Sequence, residues 1–200
     1  MKIHPSVMAK SQKELDVLLE KYKLFKELHL DVVDGKFAKN QSLNFNFKLP
    51  KGKFNAHLMV KNPVGWIKKY GSKVNLCIVQ WGEIAFPDEF IAWMRSLGKK
   101  VAFALKPEDK VSDIKSYLKK IDYVLVLTVN PGFYGSKYLK KPLGKIKEIK
   151  KVNPRIKVIV DGGMNPKTVK SAVKAGADIV IVGSYLAESK DVGKAMEELG

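Results

Sequence analysis

Residues 157–182 read KVIVDGGMNPKTVKSAVKAGADIVIV, and this stretch decides the fold. KVIV from Lys157 and DIVIV from Asp178 are short apolar runs rich in β-branched residues. Such runs suit strands buried on both faces of a parallel sheet. Between them Asn165-Pro166 reads as a helix cap followed by a proline in the first turn. Strand, helix and strand in that order make a right-handed βαβ unit.

The same unit recurs toward the N-terminus. Six further apolar runs are KIHPSV from Lys2, LHLDVV from Leu28, FNAHLMV from Phe54, VNLCIVQW from Val74, KVAFAL from Lys100 and YVLVLTV from Tyr123. Ser11 with Glu14 forms a capping box ahead of LDVLLEKY. Asn62-Pro63 and Pro87-Asp88 mark two more helix starts. Further helices are expected over residues 111–119, 139–151 and 191–199. Eight such units close into an α/β (β/α)8 TIM barrel, and 200 residues lie at the lower end of that fold's range. An open doubly wound sheet is the alternative. Residues 36–53 break the rhythm: Asn40, Asn44, Asn46, Pro50 and Gly52 fall there without a helical period. The second helix is therefore expected to be missing or reduced to a turn. No linker or repeat divides the chain, so one domain over 1–200 is expected.

Composition narrows the function. The chain is 46% hydrophobic and 28% charged, as ordinary globular proteins are. Its single cysteine, Cys77, excludes an internal disulfide framework and a cysteine-based zinc site. No apolar run is long enough for a membrane span or a signal peptide, and a reducing, cytoplasmic setting is expected. The formal charge of +17 points to an anionic partner, or to no more than a solvated lysine-rich surface. Arg95 and Arg155 are the two arginines among 37 basic residues, a poor composition for reading base edges. Nucleic acid is therefore not the expected partner. The lysines of residues 137–151 fit the outer face of an amphipathic helix.

In a barrel, chemistry sits where strands end and the following loops begin. His29 and Asp31 are two apart on the second strand and share a face. His57 is near the end of the third strand, and Asp161 ends the seventh. Two imidazoles and two carboxylates gathered at one strand end make a first shell for a divalent metal ion. Four isolated buried polar groups would cost several kcal/mol without a compensating partner. The third and seventh strands of such a barrel lie opposite each other, and the second is next to the third. Asp31 and Asp161 would thus approach a substrate from two sides, as suits proton removal on one face and return on the other. Gly162 and Gly163 after the seventh strand, with Gly183 and Ser184 after the eighth, fit a phosphate cradle. NPGFYG, from Asn130 to Gly135, is a third glycine-bearing loop and a candidate lid.

Together these motifs resemble the ribulose-phosphate 3-epimerase family. The match runs through PSVMAKS, HLDVVDGKF, AHLMVKNP, LTVNPGFYGSKYL, VDGGMNP and VGS in order. The resemblance implies a (β/α)8 enzyme that inverts C3 of a pentulose 5-phosphate, here D-ribulose 5-phosphate to D-xylulose 5-phosphate, through an enediolate. It implies one divalent ion (Zn, Fe, Mn or Co) on His29, Asp31, His57 and Asp161. It implies Asp31 and Asp161 as the catalytic acid/base pair. Ser6, His57, Gly132, Gly135, Gly162, Gly163, Gly183 and Ser184 match substrate- and phosphate-binding positions. A phosphorylated ketose is the implied partner, and a homo-oligomer is compatible with the family.

The chain departs from the family pattern at several places. Tyr134 stands where a glycine is usual, which would hinder lid closure if that position needs positive φ. Val33 replaces a methionine and would loosen the cap over the reacting carbon. Gln80 stands where a histidine is common and receives no role. The stretch after Phe37 is short, and Pro107-Glu108-Asp109 replaces a turn usually carrying Gly-Thr. His4 shares a face with Ser6 and reads as structural or rim. Cys77 reads as inert core, and Trp66, Trp81 and Trp93 as packing. Two other functions stay open: an allulose 6-phosphate 3-epimerase, and a degenerate barrel that binds phosphate or nucleic acid without catalysis.

Overall fold

Eight parallel strands close on themselves. They are β1 (Lys2–Val7), β2 (Glu27–Asp34), β4 (Lys53–Met59), β5 (Leu76–Gln80), β6 (Lys100–Leu105), β7 (Tyr123–Leu127), β8 (Lys157–Asp161) and β9 (Ile179–Val182). Each pairs with the next, and β1 pairs with both β2 and β9, which completes the barrel. The computed structural model describes residues 1–133 and 135–200. The helices α1 (Gln12–Lys21), α2 (Pro63–Tyr70), α3 (Pro87–Ser96), α4 (Val111–Ile114), α5 (Gly144–Val152) and α6 (Pro166–Ala175) fill the crossovers, and α7 (Ser184–Glu188) and α8 (Val192–Leu199) follow β9.

The helix starts follow the local chemistry of the sequence. Ser11 Oγ accepts from the Glu14 N–H, and the Glu14 carboxylate accepts from the Lys10 N–H. Asn62 and Asn165 cap α2 and α6 with their side-chain oxygens, each followed by proline. α3 also opens on Pro87, but its cap residue, Phe86, makes no side-chain bond. The expected 111–119 helix is one α-turn, α4, continued as a 3-10 turn over Lys115–Tyr117. The helices bury one apolar stripe each, such as Ile146 and Ile149 of α5, while the lysines of α5 lie outside or reach neighbouring carbonyls.

Among the described residues no helix joins β2 to β4. That interval holds β3 (Gln41–Ser42), which pairs antiparallel with the end of β2. The missing helix is replaced by aromatic packing. Phe47 is fully buried and stacks on Tyr70 at 5.1 Å and on Trp66 at 6.4 Å between ring centroids. Leu43 holds a left-handed backbone at φ 50, costly for a branched residue, and its N–H donates to the Ala9 carbonyl at 2.7 Å. Burial of its side chain holds it there.

Among the described residues two apolar clusters follow from the strand period of two. One lies between barrel and helices. The other fills the barrel interior with Leu76, Ile78, Ala102, Ala104, Leu125, Leu127, Ile159, Ile179 and Ile181. These residues come from β5 to β9 only. The inward positions of β1, β2 and β4 carry His4, Ser6, His29, Asp31, Asn55 and His57, all buried. Trp81 and Trp93 pack on Phe103 and Phe90, and Cys77 is buried with its thiol pushed up to about 12 by desolvation. No helix among the described residues is long and apolar enough to cross a membrane.

Candidate active site

Register gathers the polar residues at one mouth. Ser6 pairs with His29, and Asp31 with His57, across adjacent strands. Asp161 ends β8 opposite Leu127. Ser6 Oγ donates to Asp31 Oδ2. His57 Nδ1 lies 3.1 Å from Asp31 Oδ1 and 3.5 Å from Asp161 Oδ2. His29 Nε2 lies 3.4 Å from the same Asp31 oxygen. One ligand atom from each of His29, Asp31, His57 and Asp161 falls within 4.8 Å of all the others, so the four could hold a metal ion.

Their electrostatics are mutually dependent. Burial alone would push the Asp31 carboxyl up, but the imidazoles of His29 and His57 beside it hold it well below the usual carboxylate range. Burial would lower His57, yet hydrogen bonds to Asp161 and Asp31 and their negative charge raise it to about 9. His29 is the odd member. Its ring is fully buried, and neither nitrogen has a hydrogen-bond partner; the contact with Asp31 lacks hydrogen-bond geometry. A buried nitrogen left unpaired costs about 1–3 kcal/mol. That orphaned ring beside two carboxylates and a second imidazole is the chemistry of a divalent-ion site, so the residues fit the ion they were expected to hold.

Above the cluster opens a cleft. Its walls include Asp31 and Asp161 together with Ser6, Gly132, Gly135, Gly162, Gly163, Gly183 and Ser184. His29 and His57 lie beneath its floor rather than in its lining. Gly162 has φ +111, and a Cβ there would stand 2.5 Å from Val129 Cγ2, so no other residue fits without displacement. Gly132 has φ +117 and sits against Ala38, while Asn40 Nδ2 donates to its carbonyl at 2.7 Å. The segment that lost its helix thus braces the NPGF loop. Tyr134 and what it does to that loop lie outside the described residues.

The cleft also holds residues that the sequence reading passed over. Met8, Met59 and Met164 line it. Met8 and Met59 continue the inward alternation two residues beyond Ser6 and His57, a signal the strands offered. Val33 is buried but does not line the cleft; its register partner Met59 does. Gln80 is buried at 1% exposure, with Nε2 2.7 Å from His57 Nε2. Pro107-Glu108-Asp109 forms a turn closed by Asp109 on the Lys106 N–H and lies off the cleft. His4 lies off the cleft as well, with Nε2 3.1 Å from Glu27 and Nδ1 3.5 Å from Asn55 Nδ2. Burial lowers His4 to about 4, against the opposing pull of Glu27.

Comparison with known proteins bears on this geometry. A family model described as "Ribulose-phosphate 3 epimerase family" matches residues 2–187. A ribulose-phosphate 3-epimerase of Helicobacter pylori is 31% identical, covering 100% of this chain and 96% of that protein. One of Methanocaldococcus jannaschii is 32% identical over 86% of this chain and 76% of that protein. Among solved structures, a mutant tryptophan synthase alpha-subunit from Pyrococcus furiosus superposes with TM-score 0.73 at 19% identity, covering 99% of this chain and 97% of that chain. That likeness concerns the barrel alone.

Proposed function

The chain belongs to the ribulose-phosphate 3-epimerase family of carbohydrate isomerases, and on that premise we propose that it interconverts D-ribulose 5-phosphate and D-xylulose 5-phosphate by inverting C3. The observation that carries the proposal is the convergence of His29, Asp31, His57 and Asp161 within 4.8 Å at the base of the cleft.

Asp31 and Asp161 are the acid/base pair. In the forward direction Asp31 takes the C3 proton from one face of the ketose, and Asp161 gives a proton to the other face; in reverse the roles exchange. The neighbouring imidazoles keep Asp31 ionised at neutral pH, ready to accept. The Ser6 hydroxyl bonds its other oxygen and fixes the carboxylate plane. A divalent ion held by His29, Asp31, His57 and Asp161 would supply the positive charge that stabilises the enediolate. Met8, Met59 and Met164 keep water from the reacting carbon. Gly162, Gly163, Gly183 and Ser184 take the phosphate on backbone N–H groups, and Gly132 and Gly135 close over the sugar.

The test is C3 epimerisation of five- and six-carbon ketose phosphates, before and after removal of divalent ions by a chelator. The expected result is turnover with higher kcat/KM on ribulose 5-phosphate, loss after chelation and recovery on adding an ion back. Preference for allulose 6-phosphate would move the substrate assignment. No turnover with either substrate, together with salt-sensitive RNA binding, would replace the enzyme reading by the degenerate-barrel one.

A further inference from the structure

We propose that Gln80 is a positioning residue of the ion site: its amide oxygen accepts from His57 Nε2–H and so holds the ring as the tautomer whose Nδ1 is free to bind a divalent ion. This rests on the ion site proposed above and concerns a residue outside the four ligands.

The two sides of the His57 ring face different partners. Nδ1 faces Asp31 and Asp161 and is the nitrogen that belongs to the cluster. Nε2 points away, toward the Gln80 amide 2.7 Å off. An imidazole nitrogen that binds an ion gives up its hydrogen, so the ring's one remaining hydrogen sits on Nε2. That N–H is fully buried and needs an acceptor. Gln80 is placed to provide one.

The Gln80 amide itself points to two settings. Its nitrogen faces the ring, while its oxygen is buried with no partner. A nitrogen donor facing Nε2 suits only a ring whose Nε2 is bare, with the hydrogen on Nδ1 toward Asp31. Every other state of the ring, including the ion-ready one, needs the oxygen there. Half a turn about the last side-chain bond exchanges the two atoms. Because the oxygen has no hydrogen bond to lose, that turn breaks none on its side. Glutamine can therefore present either atom to His57, and it is the oxygen that it presents when the ion is bound.

The experiment compares wild type with Gln80→Glu, which keeps an acceptor, and Gln80→Met, which keeps length and removes it. Metal-stripped proteins are titrated with Co²⁺, followed by visible absorption. Unfolding of the stripped proteins serves as the control for fold. Wild type and Gln80→Glu are expected to bind with similar affinity, and Gln80→Met to bind about 10- to 100-fold more weakly. In ¹⁵N spectra of the Zn²⁺-loaded wild type, the His57 hydrogen is expected on Nε2. Gln80→Met binding Co²⁺ as tightly as wild type, or Gln80→Glu losing as much as Gln80→Met, would overturn the inference alone. A wild type that takes up no Co²⁺ would overturn the ion site and this inference with it.

Discussion

The two arcs of the barrel interior solve the same packing problem with opposite chemistry. From β5 to β9 most inward positions are filled by Leu, Ile and Ala, which need nothing but volume, with Gln80 at the end of β5 an exception. From β1 to β4 the same layers hold His4, Ser6, His29, Asp31, Asn55 and His57, which need partners. Asp161 crosses from the aliphatic side to complete the polar one. The difference teaches where the fold's stability and its chemistry reside. Dispersion and burial on one arc hold the strands rigid, so that the other arc can keep groups that would destabilise a core if left unpaired.

The sharpest way to break this division is to alter each arc separately. On the polar arc, Asp31→Asn and Asp161→Asn are each expected to lower epimerase kcat by about 10²- to 10⁴-fold while the barrel stays folded. Steady-state kinetics beside circular dichroism measures both. Activity near wild type in either variant would show that the two-carboxylate division of labour is wrong.

On the aliphatic arc, Leu125→Ala removes a fully buried side chain packed in the aliphatic cluster of the barrel interior. It is expected to cost about 2–5 kcal/mol of stability in denaturant unfolding, with Co²⁺ affinity close to wild type. Equal loss of ion affinity would mean the arcs are not separable.

The smallest effect concerns His4. In the folded chain its pKa is lowered to about 4, against 6.5 for an unhindered imidazole. Between those values the unfolded chain binds a proton that folded His4 refuses. Its contribution to stability is therefore complete above pH 6.5 and is lost as pH falls toward 4. His4→Gln is expected to flatten the pH dependence of unfolding by about 1.4 kcal/mol per pH unit in that window. An unchanged slope would place the acid sensitivity elsewhere.

What the sequence made legible follows from the same contrast. The eight strands announce themselves because inward and outward positions are both apolar over most of the barrel. His29, Asp31, His57 and Asp161 stand out because they interrupt that pattern at strand ends. The absence of the second helix is also visible in Asn40, Asn44, Asn46, Pro50 and Gly52. What fills its place is not, since Phe47 finds Trp66 and Tyr70 only through tertiary packing, and Leu43 adopts its left-handed backbone only when pinned to Ala9. Gln80 stands where a histidine is common but receives no role from the sequence, because a neutral amide at the end of an apolar strand carries no chemical signal of its own. Its meaning lies in the ring on the neighbouring strand.

The central claim is that two carboxylates serve C3 from opposite faces, each exchanging its proton with solvent. Conversion of D-ribulose 5-phosphate in D₂O, with nuclear magnetic resonance of the product, tests it most directly. The account predicts D-xylulose 5-phosphate carrying deuterium at C3 from the first turnovers. Product that retains the original hydrogen at C3 would mean one group shuttles a single proton across the carbon, and would contradict it.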